Sequence, residues 1–265
     1  MTAGQTDKAT NATARHDLSD WLDLHALDAA QCRQILQDWP DSGPERRPQP
    51  RSEPGAQKAH SAPASELPTA QVVWDMARAA LRAEFGGGAD VIDATHARTQ
   101  TLFQPDPQKY PRAFTLNDNG QGVPLVVCNY QGRVADIMTL AHEFGHAVQI
   151  SASGGRFVPP VGREVCAFLS ELAMLAYLKG QKSDLYDGAR QVWQAATLKI
   201  WRKDRVELLA ALGDLATPYN YQWNYPMAHI VAAQASARAW GKPATDPRVW
   251  LLFEGGLPAA ELWRI

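Results

Sequence analysis

Residues 136–150 read Asp-Ile-Met-Thr-Leu-Ala-His-Glu-Phe-Gly-His-Ala-Val-Gln-Ile, the most informative segment of the chain. It contains good helix formers and no proline, and its apolar residues recur at helical spacing. We therefore predict a helix with one apolar and one polar face, with Asp136 as its N-cap or first-turn acid. Gly145 costs such a helix about 1 kcal/mol relative to alanine, so we expect another backbone to approach it closely.

The polar face of this helix carries the pattern His-Glu-x-x-His at residues 142–146. His142 and His146 are four residues apart, so their imidazoles project one above the other from the same side of a helix. Two neutral imidazoles at this spacing can bind one zinc ion, and Glu143 lies close enough to take a proton from the water that the metal activates. The alternative is an amphipathic helix with two incidental histidines, and the helical context argues against it.

A catalytic zinc ion needs a third protein ligand, and Glu164 is the best candidate. It opens a second predicted helix, residues 163–179, which is apolar nearly all round and should be buried. Glu171 lies two turns further on, so both carboxylates face the same way. Because buried unpaired carboxylates are costly, we predict that Glu164 binds the metal and that Glu171 holds a ligand histidine by its other ring nitrogen. An exposed acidic face is the alternative.

Several motifs around these residues resemble a known family. Pro124-Leu-Val-Val-Cys-Asn-Tyr-Gln-Gly, followed by the HExxH helix and the Glu164 helix, resembles the core of the thimet oligopeptidase and oligoendopeptidase F family of zinc peptidases. Lys109-Tyr-Pro-Arg-Ala-Phe is similar to the stretch before that family's substrate-facing edge strand, with Arg112 where a glycine is usual. Pro218-Tyr-Asn-Tyr-Gln-Trp-Asn-Tyr-Pro-Met-Ala looks like its aromatic segment. The resemblance covers about residues 75–265.

The resemblance implies a mainly α fold, a zincin-like metallopeptidase catalytic domain with a small β-sheet next to the HExxH helix. An extended substrate would pair with the edge strand near residues 113–116. The implied site consists of His142, His146 and Glu164 as Zn²⁺ ligands, Glu143 as the catalytic base, and Tyr221 and Tyr225 as candidates for stabilising the tetrahedral intermediate. For the tyrosines, the alternative is an aromatic cluster that packs two helices together.

The chain also departs from this family. Its members usually have a second, large helical lobe that closes a channel over short peptides, and nothing here is long enough to form one. The family also has a histidine shortly before the aromatic segment, where this chain has Gly213-Asp-Leu-Ala-Thr-Pro. His229 lies after that segment, and Gln149 stands where a further histidine is often seen.

Three functions are therefore compared. The leading one is a zinc metallopeptidase that hydrolyses oligopeptides or one dedicated peptide, with a cleft that is either open or completed by a homodimer or a partner protein. The second is a zinc-dependent tailoring enzyme that acts on a small metabolite or amide in a biosynthetic pathway. The third is a binding module whose metal site is structural and whose residues 16–39 recruit a partner. Glu143 argues against the third, because a structural site needs no general base.

Composition agrees with a soluble globular enzyme: the chain has 265 residues, of which 45% are hydrophobic. Its net charge of −2 gives no electrostatic reason to expect nucleic acid or an anionic membrane as a partner. We see neither a hydrophobic signal segment nor a run approaching the ~20 apolar residues of a membrane helix. The 3 cysteines lack metal-type spacing and are expected to be reduced thiols in a cytoplasmic protein.

The chain is predicted to have three parts: a polar N-terminus with a short helical element (1–39), a Pro/Ser/Arg-rich linker (40–68) and the zinc-dependent catalytic domain (69–265). The N-terminal element should form one or two helices, one capped by Asp28, and packing on the same domain is slightly favoured over docking on a partner. Further helices are predicted at 69–85, 183–212, 224–240 and from Asp246, with strands at about 113–116 and 125–128.

Overall fold

A computed structural model describes residues 16–39, 67–117, 123–239 and 247–263 of the chain. It is mainly helical, with one small sheet, as the sequence predicts. The helices are α1 (Leu18–Leu24), α2 (Ala29–Asp38), α3 (Ala70–Glu84), α4 (Ala89–Arg98), α5 (Val134–Ser153), α6 (Pro160–Gly180), α7 (Tyr186–Lys199), α8 (Arg205–Ala211), α9 (Asn224–Ala239), α10 (Pro247–Glu254) and α11 (Ala259–Leu262). The strands are β1 (Gln100–Leu102), β2 (Phe114–Leu116) and β3 (Leu125–Val127). Within the described ranges, no helix is both long enough and apolar enough to cross a bilayer.

The proposed division into domains stays a prediction, because most of the linker lies outside the described residues. Residues 40–66 and 1–15 are not described, nor is Asp246, the predicted cap of α10. The two helices predicted within residues 16–39 are present as α1 and α2, and Asp28 caps α2 by accepting a hydrogen bond from the Gln31 amide at 2.8 Å.

Helices α5 and α6 pack along each other at the centre of the molecule, with α3, α7 and α9 around them. The two helices approach each other closely at Gly145. A Cβ atom there would lie 2.7 Å from the Cys166 carbonyl oxygen and 2.8 Å from Ala167 Cα. The expected close approach of a second backbone is therefore confirmed. It holds the polar face of α5 against the first turns of α6.

The ends of α5 follow from local chemistry. Asp136 lies in its first turn, and its carboxylate accepts hydrogen bonds from the backbone amides of Gln131 at 2.9 Å and Arg133 at 3.0 Å. At the other end, Gly154 adopts φ 60°, a left-handed conformation that glycine reaches without strain. The helix therefore spans the predicted 136–150 with about one extra turn.

The three strands form one sheet in the order β1-β3-β2, with β1 parallel and β2 antiparallel to β3. Strand β2 is thus an edge strand, and it packs on α5. The strands predicted near residues 113–116 and 125–128 are confirmed, whereas β1 was not predicted. Its residues, Gln-Thr-Leu, lack the apolar run that marks β3, Leu-Val-Val.

The N-terminal helices α1 and α2 belong to the same hydrophobic core as α5 and α6. Leu18 is fully buried, and Trp21 donates its indole N–H to the Asn224 side-chain oxygen at 2.8 Å. His25, at the end of α1, accepts a hydrogen bond from the Val161 amide at 3.2 Å. Because Val161 lies in the first turn of α6, this imidazole binds one of the amides that have no partner within that helix. Helix α1 therefore helps to fix the start of α6.

The single long helix predicted for residues 183–212 is interrupted. A π-helical turn at Ile200–Asp204 joins α7 to α8. Such a turn adds one residue to a helix, which changes the hydrophobic spacing too little to be recognised in the sequence.

Candidate metal centre

Three side chains from α5 and α6 converge on one point between the two helices. Nε2 of His142 lies 3.4 Å from Oε2 of Glu164, and Nε2 of His146 lies 3.7 Å from Oε1 of the same carboxylate. One ligand atom from each residue lies within 4.8 Å of the others. The predicted ligand set is therefore brought together, by the spacing of four on α5 and by the close packing of α6 at Gly145.

The donor atoms of this cluster fit a metal ion. Nδ1 of His142 lies 2.6 Å from the Glu171 carboxylate, so its N–H donates there and Nε2 keeps a lone pair directed toward Glu164. A lone pair that faces a carboxylate is stable only when a cation lies between them or when the ring is protonated. Oε2 of Glu164 is buried and has no hydrogen-bond partner among the described residues. Two imidazole nitrogens and a carboxylate form a common zinc ligand set.

The protonation states agree with metal binding. Burial lowers the pKa of His146 to about 3, so this ring is neutral and its nitrogen is free to coordinate. Burial would raise the pKa of Glu164, but the two histidines and a tyrosine hydroxyl outweigh it and lower the pKa to about 2. Burial also lowers the pKa of His142, yet the neighbouring carboxylates of Glu164 and Glu171 raise it well above 6.5. A metal ion at the cluster can take the place of the proton that His142 carries without it.

Glu143 lies beside the cluster and is held by a residue that the sequence did not suggest. Its Oε2 accepts a hydrogen bond from the Thr115 hydroxyl of β2 at 2.7 Å, and that hydroxyl is 3.1 Å from the Glu143 carbonyl oxygen. Burial raises the pKa of Glu143, against the lowering effects of His142 and Thr115. The signal that could have identified Thr115 is its place in the middle of the predicted edge strand.

The two predicted tyrosines both reach the site, in different positions. The Tyr221 hydroxyl donates to Oε1 of Glu164 at 2.6 Å, so it holds a ligand. The Tyr225 ring packs edge to face on Tyr221 at 6.1 Å, and no described residue forms a hydrogen bond with its hydroxyl. Burial raises the pKa of both tyrosines, which keeps both as hydrogen-bond donors.

His229 is not a member of the ligand cluster. Its Nε2 lies 3.0 Å from the Thr197 hydroxyl, and burial lowers its pKa to about 4. The Phe168 ring packs against both histidine rings, with its centroid 5.7 Å from that of His142 and 5.2 Å from that of His229. His229 therefore supports the wall behind His142 and makes no direct contact with a ligand atom.

A cavity of about 390 Å³ opens beside His142 and Glu143, a volume within the usual range for small-ligand sites. Its walls come from the chain leading into β2, the end of β3, the start of α5 and the middle of α7. The polar and charged lining residues are Arg112, Asn129, Arg133, Asp136, Thr139, His142, Glu143 and Glu171. The site therefore combines a metal-ligand cluster, a buried carboxylate and room for a ligand.

Comparison with known proteins supports the architecture. The structure is similar to the crystal structure of a protein provisionally assigned as an oligoendopeptidase F, with a TM-score of 0.54 and 16% sequence identity. The match covers 74% of this chain and 44% of the other, so the chain spans less than half the length of that protein. No family model and no curated protein matches the sequence. At this identity the likeness establishes the fold alone, and it confirms the predicted zincin-like fold of the oligoendopeptidase type.

Proposed function

We propose that this chain is a zinc metallopeptidase that hydrolyses peptide bonds in oligopeptides or in a dedicated peptide substrate. The observation that carries the proposal is the convergence of His142, His146 and Glu164 beside a buried carboxylate, Glu143, that is held by an edge strand. A structural metal site has no use for such a carboxylate. The fold shared with a protein provisionally assigned as an oligoendopeptidase F supports a peptidase over other hydrolases.

The chain's own residues supply the proton transfers. A zinc ion, when bound, supplies Lewis acidity that polarises a carbonyl and makes water easier to deprotonate. Oε1 or Oε2 of Glu143 takes the proton of the attacking water as the new C–O bond forms. The same carboxyl group then gives that proton to the amide nitrogen as the C–N bond breaks. The products are a carboxylic acid and a free amine.

The two tyrosines have different roles: one stabilises the intermediate and the other positions a metal ligand. Tyr225 has a hydroxyl that no described residue uses, and in this proposal it donates a hydrogen bond to the oxyanion of the tetrahedral intermediate. Tyr221 keeps Glu164 in place by its hydrogen bond of 2.6 Å. Both roles require the protonated phenol, which burial maintains.

Strand β2 provides a place for an extended substrate. It lies at the edge of the described sheet, and Thr115 in its middle touches Glu143. A peptide that pairs with a free strand edge gains backbone hydrogen bonds that do not depend on its sequence. The scissile amide of a peptide bound there would lie next to the base.

The test is cleavage of a mixed peptide library by the zinc-loaded protein, read by mass spectrometry, with a Glu143→Gln variant alongside. We expect cuts in the wild-type digest and a loss of rate of at least about 100-fold in the variant, which keeps the shape of the side chain but not its basicity. Equal cutting by both proteins would refute the mechanism. If a protein with stoichiometric zinc made no cuts, the proposal that it hydrolyses oligopeptides in general would be refuted.

We further propose that the protein works in the cytoplasm. This is supported by Cys32, Cys128 and Cys166, which are all buried free thiols, as is usual in reducing compartments. Localisation of a tagged protein by cell fractionation would test this.

A further inference from the structure

The acidic side chains that line the cavity all have hydrogen-bond partners within the protein. The pairs are Glu143 with Thr115 (2.7 Å), Glu171 with His142 (2.6 Å) and Asp136 with Arg133 (2.9 Å). Each of these carboxylates is therefore engaged within the protein. None of them requires a cationic group from a ligand as a partner.

Arg112 is the exception among the charged lining residues. It lines the same cavity and is exposed, and it forms no hydrogen bond or ion pair with any described residue. Its cation also lowers the pKa of Tyr225, although the larger effect of burial raises that pKa. Arg112 therefore lies near enough to Tyr225 to act on it electrostatically, and its positive charge is available to a ligand.

The position of Arg112 relates it to the reacting bond. It precedes Thr115 by three residues, and the Thr115 hydroxyl contacts Glu143. Three residues of chain span at most about 10 Å, so Arg112 and the base are separated by roughly three residues of an extended peptide. A guanidinium forms paired hydrogen bonds with a carboxylate, which is the anionic group that peptides carry.

We infer that Arg112 binds a carboxylate of the substrate within about three residues of the scissile amide, an inference that rests on the proposed peptidase function. The carboxylate is either the C-terminus of the peptide or an Asp or Glu side chain, and the same guanidinium chemistry serves both. Arg112 then determines specificity, and the chemical step remains with Glu143.

The experiment compares matched peptides on the zinc-loaded protein. One peptide that the wild type cuts in the library is made in four forms, with a free or amidated C-terminus and with Glu or Gln at the acidic position nearest the cut. Values of kcat/KM are measured for the wild type, Arg112→Gln, Arg112→Lys and Arg98→Gln. Binding of the same peptides to zinc-loaded Glu143→Gln, with and without Arg112→Gln, is measured by calorimetry. Arg98 lies at the end of α4 outside this cavity, so Arg98→Gln removes the same charge elsewhere.

For the wild type and Arg98→Gln, we expect either amidation of the C-terminus or the change of Glu to Gln in the peptide to lower kcat/KM and affinity about tenfold, the lower end of the range for hydrogen bonds to charged groups. In Arg112→Gln, the ratio of kcat/KM between the charged and the neutralised peptide should fall to about one. Arg112→Lys should keep part of this ratio. Sensitivity to amidation identifies the C-terminus, and sensitivity to Gln identifies a side chain. Equal binding of all four forms, or an unchanged ratio in Arg112→Gln, overturns the inference while leaving the peptidase standing. Carboxylate-selective binding without Glu143-dependent cleavage overturns the peptidase and leaves Arg112 as an anion site.

Discussion

A change from Gly145 to alanine tests how closely the metal centre depends on the packing of α5 against α6. The added Cβ would lie 2.7 Å from the Cys166 oxygen, 2.8 Å from Ala167 Cα and 2.9 Å from Ser170 Cβ. Ordinary carbon contacts begin near 3.5 Å, so the helices must separate by roughly 0.7 Å. Two of the three atoms belong to the backbone and cannot rotate away. We therefore take the upper part of the usual overpacking cost, about 2–3 kcal/mol.

Alanine also gains about 1 kcal/mol of helix propensity over glycine, so the expected net loss in the free energy of unfolding is about 1–2 kcal/mol. A second effect concerns the metal. His142 and His146 lie on α5 and Glu164 lies on α6, and metal–ligand distances tolerate errors of only about 0.2 Å. A separation of roughly 0.7 Å exceeds that tolerance. We expect zinc affinity to fall by at least about tenfold, as it does when the partners of metal ligands are removed.

The assays are urea unfolding of the metal-free protein and competition for zinc with a coloured chelator. Gly180→Ala is the matched control, because Gly180 is the last residue of α6 and a Cβ there would have no neighbour within 4 Å. It should keep zinc affinity and gain at most about 1 kcal/mol of stability. If Gly145→Ala proved as stable as Gly180→Ala and bound zinc equally well, the argument that close packing positions the ligands would be wrong.

Substitutions at three further positions probe the site and its support. Thr115→Val should lower kcat by about tenfold with little change in KM, because Glu143 loses the hydrogen bond that orients it. Thr115→Ser keeps the hydroxyl and should restore the rate. A Thr115→Ser variant as slow as Thr115→Val would contradict this role. Tyr221→Phe should weaken zinc binding by about tenfold or more in chelator competition, since buried Glu164 loses a donor, and unchanged affinity would count against it. The folded pKa of His25 is lowered by burial from 6.5 to about 4, so the unfolded chain binds a proton first and stability falls as the pH drops from about 6.5 toward 4. Between pH 7 and pH 5, the free energy of unfolding measured in urea should fall by about 2 kcal/mol less for His25→Asn than for the wild type. Equal decreases in the two proteins would refute this role of His25.

What the sequence could predict depended on how local the relevant contacts are. The spacing of His142 and His146 is a property of one helix, so periodicity was enough to place both rings on one side of α5. Gly145 could be read as a point of close approach for the same reason, since a glycine within a good helix needs a cause. Glu164 could be identified because its helix is apolar nearly all round, so that a carboxylate buried there needs a cation, and the family resemblance agreed with this choice.

The contacts that were missed join segments distant in the chain. Tyr221 was one of two candidates for stabilising the tetrahedral intermediate, and the hydrogen bond of its hydroxyl to Glu164, 57 residues away, was not predicted. Thr115 and Glu143 are 28 residues apart and meet only because β2 lies on α5. No spacing in the sequence encodes such pairs, since they follow from how helices and strands pack. The π-helical turn at Ile200–Asp204 was missed for the opposite reason, because it alters the local pattern too little.

The position of α1 and α2 has a consequence for a chain that is cut. These helices fill part of the core, with Trp21 bonded to Asn224 and His25 bonded to Val161 at the start of α6. If residues 40–66 were cleaved, the N-terminal fragment would remain bound to the rest through buried contacts alone. Folding would then change from a unimolecular to a bimolecular reaction, and the melting temperature of the nicked protein would rise with its concentration. Dilution would release the segment that satisfies the first turn of α6, so activity lost on dilution could be restored by adding back a peptide of residues 16–39.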